Sequence, residues 1–298
     1  MSEAGTNELA GRHVVDTAWL EAKLTTGGVR VLDATVVLDI DTWHANTGRE
    51  RFEAGHVPGA DFVDLIAELS NPAGDVGLPP RVRAYALPTP EAFAAAVGAH
   101  GVGDGTPVVT YDTVGGMWAA RLWWLLRYFG HDAVAVLDGG LARWNAEHRP
   151  VERGAPASVP ARRFTPRPRP ALLATRDEVL NIVRGGGASL VNALSPPIFR
   201  GETQAALSRP GRIPGSVNVP FYELYREDGT LRAPDELRTV FAAAGVPLDG
   251  SRCITYCGGG IAASSDALAL ALLGVDAAVY DGSLVEWNSD PALPVEVG

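Results

Sequence analysis

Two cysteines stand four residues apart near the end of the chain, and only one is placed for chemistry. Cys257 is followed by Gly258-Gly259-Gly260-Ile261-Ala262-Ala263-Ser264, and the apolar run before it, Cys253–Tyr256, reads as a buried strand. A nucleophile at a strand end, then three glycines, then the start of a helix, makes an anion cradle. Glycines let successive backbone N–H groups turn inward without Cβ obstruction, and the helix N-terminus adds its positive pole. A thiol held there is expected to ionise readily, and the thiolate is the reactive species. Cys253 is expected only to pack, because four residues of strand set the two sulfurs about 13 Å apart along the chain, too far for a disulfide. Two cysteines make no disulfide framework, so a reducing compartment is expected.

The surroundings of Cys257 narrow what the cradle can hold. A cysteine phosphatase needs an arginine six residues after the nucleophile to clamp phosphate at two points, and that position is Ala263. No basic side chain occurs from 253 to 273. A small, singly charged species such as a thiolate or persulfide suits a cradle of backbone dipoles better than a phosphate dianion does. All six histidines lie at or before His148, so any imidazole that assists Cys257 must come from the first half of the chain. A zinc site or Cys-His dyad made wholly within the second half is thereby excluded. Lys23 is the sole lysine, which leaves little scope for Schiff-base or P-loop chemistry.

The elements that must position these residues occur twice. Residues 136–145 read VLDGGLARWN and residues 279–288 read VYDGSLVEWN, with six of ten positions identical. Upstream, GHVPGADFV (55–63) pairs with GRIPGSVNV (211–219), and TPVVTYD (106–112) with SRCITYC (251–257). The matches keep chain order with a slowly drifting offset, as in a tandem duplication. Asp112 takes the place of Cys257 in the first copy. Residues 152–170 carry five prolines and five arginines without apolar periodicity, and read as an extended, solvated connector. Within each copy, short apolar strands (29–34, 108–111 and 134–137; 190–192, 253–256 and 277–280) alternate with helical stretches (90–98 and 118–129; 175–184, 234–244 and 261–273). That alternation predicts an α/β fold in which each copy is a parallel sheet with helices on both faces. Ligands of such sheets sit beyond the carboxyl ends of the strands. Asp138 and Asp281, each before a glycine at a strand end, are expected to cap the short helix that follows. Trp123, Trp124, Trp144 and Trp287 are expected in the core, and Trp118, after Gly115-Gly116-Met117, either in the core or walling a cleft shared by the two copies.

Composition sets outer limits. The 298 residues are 46% hydrophobic with a formal charge of −10, enough apolar content for two cores and the wrong sign for general nucleic-acid affinity. Residues 1–13 lack a basic segment followed by an apolar one, and no apolar run approaches bilayer length. A cytoplasmic protein without membrane association is expected.

Taken together, GHVPGA (55–60), GRIPGS (211–216), the DGG…W and DGS…EW elements and Cys257 on its glycine loop resemble the tandem-domain sulfurtransferases of the rhodanese superfamily, over nearly the whole chain. The resemblance implies two rhodanese-like domains: a non-catalytic one at 1–151 with Asp112 at the nucleophile position, a linker at 152–170, and a catalytic one at 171–298. It implies a sulfurtransferase in which Cys257 carries sulfur as a persulfide, within the loop Gly258, Gly259, Gly260, Ile261 and Ala262, with no metal or organic cofactor. The partners it implies are a small anionic donor and a thiol acceptor, which an acceptor protein could supply. CGGGIAA (257–263) is similar to the neutral loop of members that use 3-mercaptopyruvate rather than the basic loop of thiosulfate-type members. Arg200, Arg209 and Arg212 are the resemblance's candidates for gripping the donor carboxylate. His56 is its candidate from the first domain, either as a proton relay or as a turn-stabilising residue. The chain departs from the family pattern at Gly259 and Ala262, where the loop has hydroxyls, at Ile198, where an arginine is usual, and at Arg212, where a histidine is usual. Two other readings stay open: a carrier that takes persulfide from one protein to another, and a catalytically silent rhodanese-like binding module.

Overall fold

The computed structural model describes residues 8–9, 11–39, 45–71, 85–204 and 207–298. Residues 1–7, on which the reading of the N-terminal segment partly rests, lie outside the described set.

Among the described residues, seven strands precede the connector: β1 (Val14–Val15), β2 (Arg30–Asp33), β3 (Val36–Leu38), β4 (Ala45–Thr47), β5 (Asp61–Phe62), β6 (Val108–Tyr111) and β7 (Val134–Leu137). Five follow it: β8 (Leu173–Ala174), β9 (Ser189–Asn192), β10 (Val217–Asn218), β11 (Cys253–Tyr256) and β12 (Ala278–Tyr280). They form two five-stranded parallel sheets, ordered β1-β7-β6-β2-β5 and β8-β12-β11-β9-β10. The second order reproduces the first strand for strand, which is the duplication expressed as topology. β3 and β4 form a separate antiparallel pair.

Local chemistry explains where the helices begin. Thr89 accepts the Ala92 N–H at 3.2 Å with Pro90 at the first helical position, and Thr175 accepts the Glu178 N–H at 3.2 Å. The helix Met117–Tyr128 is apolar on nearly every side and buried accordingly. It lies between its own sheet and the helix Ala263–Leu272 of the second repeat.

Strand alternation sorts the core into three layers. Val109 and Ile254 face separate outer clusters with Trp144 and Trp287, while Val108 and Cys253 face inward. The inward residues of both sheets join one continuous cluster, with Trp118, Trp123 and Trp124 inside it. The expected core tryptophans are all buried.

The connector is extended, as expected, but it is not free in solvent. The N–H groups of Arg162, Arg167 and Arg169 donate to Gly98 O, Phe129 O and Tyr128 O at 2.8–2.9 Å, and Phe164 is buried. Gly98 permits this approach, since a Cβ there would lie 2.5 Å from Arg162 O. Among the described residues, no helix is long and apolar enough to cross a membrane.

Candidate active site

Cys257 directly follows β11, and it is 2% exposed. Its N–H donates to Ser283 Oγ at 3.1 Å, and Ser283 Oγ donates to Tyr280 O at 2.8 Å. The carbonyls of Cys257 and Gly258 accept the Leu284 and Val285 N–H groups at 3.1 and 2.9 Å. Those two carbonyls are therefore turned onto the short helix Ser283–Trp287. Among the described residues, no hydrogen bond consumes the N–H groups of Gly258 through Ala262. Gly260 is obligatory here: its φ is +81°, and a Cβ would lie 2.6 Å from Asp281 O. Gly259 is not, since a Cβ there would meet only the Tyr85 ring, at an ordinary 3.6 Å.

The first repeat shows what this turn does with an anion. Asp112 Oδ1 accepts the Val114 and Gly116 N–H groups at 2.8 and 2.9 Å, and Oδ2 accepts those of Trp118 and Ala119 at 3.0 Å each. Four backbone donors converge on one carboxylate. The offset that maps Asp112 onto Cys257 maps the first three donors onto Gly259, Ile261 and Ala263. In the first repeat the chain fills its own cradle; in the second a cysteine stands at the position of that carboxylate.

The two thiols differ in kind. Cys253 lies in the inner cluster, where burial, with the Asp266 carboxyl adding to it, pushes its thiol up to about 12. It is a packing residue at neutral pH. Both cysteines are free.

The side chains expected to serve the loop from elsewhere have other employment. Arg209 donates to Leu293 O, Trp287 O and Asp290 O at 2.8, 3.2 and 3.0 Å. Arg212 donates to Gly298 O at 2.6 Å, pairs with Glu296, and lies 4.5 Å over the Phe199 ring. Arg200 is 44% exposed and forms a two-point pair with Glu202 at 2.6 and 2.9 Å. His56 stacks on Phe52 at 3.9 Å, and its Nδ1 meets Phe52 O at 2.9 Å. Among the described residues, no hydrogen bond or ion pair links any of the four to the 257–262 loop.

The reason is visible in the repeat. His56 and Glu152 form an antiparallel bridge, as do Arg212 and Glu296. Glu152 accepts the Gly59 N–H at 2.9 Å and Glu296 the Gly215 N–H at 3.0 Å. Tyr111 OH accepts the Val57 N–H at 3.3 Å, and Tyr256 OH that of Ile213 at 3.1 Å. GHVPG and GRIPG are thus clasps that fasten the end of each repeat to its sheet. Of the two roles open to His56, its contacts are those of the turn-stabilising one.

What the loop does meet comes from the first repeat. Arg121, 2% exposed on the Met117–Tyr128 helix, places Nη1 2.6 Å from Asp281 Oδ1 and donates from Nη2 to Tyr85 O at 2.8 Å. Asp281 Oδ2 accepts the Leu87 N–H at 2.9 Å. Burial raises the Tyr85 hydroxyl to about 12, so it stays protonated. Asp281 therefore does not cap its own helix, and neither does Asp138, whose Oδ1 accepts the Leu231 N–H at 2.8 Å. The sequence signal for Arg121 was a lone charge inside the apolar run AARLWW. A cavity opens at the Asp112 end, lined by Asp112, Gly116, Asp138, Tyr225 and Leu231.

Comparison with known proteins places this geometry among relatives. The sequence profile of the rhodanese-like domain matches residues 16–147 and 175–290. The chain is 36% identical to thiosulfate sulfurtransferase of Bos taurus over 289 residues, covering 93% of this chain and 92% of that protein. It is 34% identical to 3-mercaptopyruvate sulfurtransferase of Escherichia coli over 291 residues, 95% of this chain and 97% of that one. The crystal structure of SseA from Escherichia coli, described as a 3-mercaptopyruvate sulfotransferase, superposes with a TM-score of 0.79 at 33% identity, covering 91% of this chain and 98% of its own.

Proposed function

The chain belongs to the rhodanese family and is a sulfurtransferase, and from that premise we propose that Cys257 carries the sulfur and that 3-mercaptopyruvate donates it. The Cys257 thiolate attacks the donor sulfur. The C–S bond breaks, its electron pair leaves as pyruvate enolate, and protonation gives pyruvate. The enzyme keeps a Cys257 persulfide. A thiolate acceptor then attacks the outer sulfur, takes it away as a persulfide and returns the Cys257 thiolate.

One observation carries this reading: among the described residues no hydrogen bond uses the N–H groups of the loop that follows Cys257, while the matching donors of the first repeat are saturated by Asp112. Backbone donors fixed before the reaction stabilise an anionic sulfur without reorganising. A silent module would more naturally carry the self-filled form. The donor assignment is supported by the loop's neutrality, because relatives named for thiosulfate and for 3-mercaptopyruvate are about equally similar overall. Residues 1–151 form the non-catalytic domain, 152–170 the linker and 171–298 the catalytic domain. The acceptor is a thiol or another nucleophile, free or on an acceptor protein, and two unpaired thiols suit the reducing cytoplasm.

A second reading rests on one feature. Arg209 and Arg212 are committed to clasp contacts and Arg200 to Glu202, which would suit a donor without a carboxylate, such as a protein persulfide. Intact mass after incubation with each donor separates the readings. The proposal expects one added sulfur from 3-mercaptopyruvate on the wild type and none on Cys257→Ser. Loading by a protein persulfide alone selects the carrier, and unaltered sulfur release by Cys257→Ser ends both.

A further inference from the structure

The contacts around Arg121 close into a ring. Arg121 pairs with Asp281 at 2.6 Å, Asp281 accepts the Leu87 N–H at 2.9 Å, and two residues back Tyr85 O returns to Arg121 at 2.8 Å. The ring presses on the glycine loop at two points. Asp281 O and Oδ1 lie 2.6 and 3.0 Å from where a Cβ on Gly260 would stand, and the Tyr85 ring lies 3.6 Å from the Cβ position of Gly259. The Arg121 guanidinium also lies 4.7 Å over the Trp124 ring.

The opposite end of the molecule is an internal control. There Asp138 accepts the Leu231 N–H at 2.8 Å and the Tyr225 ring lies 3.0 Å from the Cβ position of Gly116. The two repeats thus cross over each other's loops reciprocally. The residue matching Arg121 under the same offset is Asp266, fully buried, with no hydrogen-bond partner for either oxygen among the described residues. Burial holds its carboxyl well above the ordinary carboxylate range. At the silent end Asp138 pairs instead with Arg143 of its own repeat at 3.3 Å, a guanidinium 34% exposed, whereas Arg121 is 2% exposed and reaches Asp281 from the other repeat. A buried guanidinium costs several kcal/mol of desolvation, and of the two crossed-over loops it is the cysteine's that holds one from the opposite repeat.

We infer that Arg121 and Asp281 are a positioning pair for Cys257, the first repeat's guanidinium locking the Tyr85–Leu87 strap and the Asp281 floor around the sulfur-bearing loop. The inference rests on the Cys257 reading above. The pair places one positive and one negative charge beside the loop, and removing either leaves the other uncompensated.

The test is the pH profile of Cys257 alkylation by iodoacetamide in the full-length, donor-free protein. Arg121→Gln leaves the carboxylate alone, disfavours the thiolate and moves the alkylation midpoint up by about one pH unit. Asp281→Asn leaves the guanidinium alone and moves it down by a comparable amount. A purely structural pair would lower the melting temperature in both variants and shift the midpoint in one direction or not at all, and that result overturns the inference. Should Arg121→Gln fail to fold, Arg121→Lys keeps the charge but cannot hold Asp281 and Tyr85 together. It is expected to keep the wild-type midpoint and lose sulfur from the loaded persulfide several-fold faster, and an unchanged rate of loss overturns the inference. If wild-type Cys257 neither alkylates near neutral pH nor accepts sulfur from any donor, the Cys257 reading itself has failed. Normal loading with unshifted variants refutes the pair alone.

Discussion

The Leu87 backbone N–H of the first repeat donates to the Asp281 carboxylate of the second at 2.9 Å. Leu231 and Asp138 make the reciprocal bond at 2.8 Å. Each repeat therefore finishes the strand-end loop of the other. This accounts for an inner core shared by both sheets and for the burial of the Met117–Tyr128 helix on both sides. Duplication supplied two equivalent ends, and side-chain changes then made them unequal. Asp112 saturates one cradle, and Arg121 brings a cation to the other.

The glycine loop divides its three glycines by function. Gly260→Ala is expected to abolish sulfur loading and to cost about 1–3 kcal/mol from the left-handed φ alone, before the clash with Asp281 O. Gly259→Ser is expected to fold with a nearly unchanged melting temperature, since its Cβ meets Tyr85 at 3.6 Å. It would add a hydroxyl at the loop and change the rate of donor consumption. Thermal melts with persulfide detection on both variants check this; a stable, active Gly260→Ala protein would contradict the geometry.

Arg212 separates clasp from substrate grip. Its bonds to Gly298 O and Glu296 fasten the C-terminal segment of the second repeat. Arg212→Ala should lower stability by about 1–2 kcal/mol and leave the KM for 3-mercaptopyruvate within twofold of wild type. A large rise in KM at unchanged stability would return Arg212 to the substrate.

Much of this architecture was legible in the sequence, for physical reasons that also mark the limits. Strands β6, β7 and β11 occur at their expected bounds because buried parallel strands are continuous apolar runs. The edge strands β1, β5, β8 and β10 are two residues long, too short for any periodicity to register. Cys257 was readable because its cradle is local, a matter of adjacent residues. Arg121, Asp281 and Tyr85 were not, since they meet only when two copies of the sheet face each other. His56 and Arg212 misled for a related reason: their carboxylate partners, Glu152 and Glu296, lie many residues downstream, and a short motif does not show them.

His100 predicts a pH dependence unrelated to catalysis. Burial works against its charged form, but Asp61 at 2.8 Å on Nδ1 and Glu68 at 2.6 Å on Nε2 outweigh that and raise the imidazole to about 9. A folded-state value above the ordinary 6.5 means the stabilisation is complete below that pH and is lost as pH rises through about 9. The loss should amount to about 3 kcal/mol. Urea unfolding across this range should show the decline in the wild type and a flatter profile in His100→Gln. Parallel profiles would mean that His100 is not charged in the fold.

Asp112 carries the last prediction, because its role follows from counting donors. Its two oxygens accept four backbone N–H groups. Asp112→Asn keeps the shape but turns one oxygen into an N–H donor aimed at two others. The backbone groups it faces are then left buried and unsatisfied, at about 1–3 kcal/mol for each lost acceptor. The melting temperature should fall accordingly, while sulfur loading stays at one atom per chain because Cys257 is untouched. Asp112→Cys puts a thiol in the same cradle, but without the buried guanidinium from the other repeat, since Asp266 stands where Arg121 would have to be. A second sulfur is therefore not expected on that variant. Loading of two sulfurs would show that the backbone cradle suffices alone, and that Arg121 is dispensable to the chemistry.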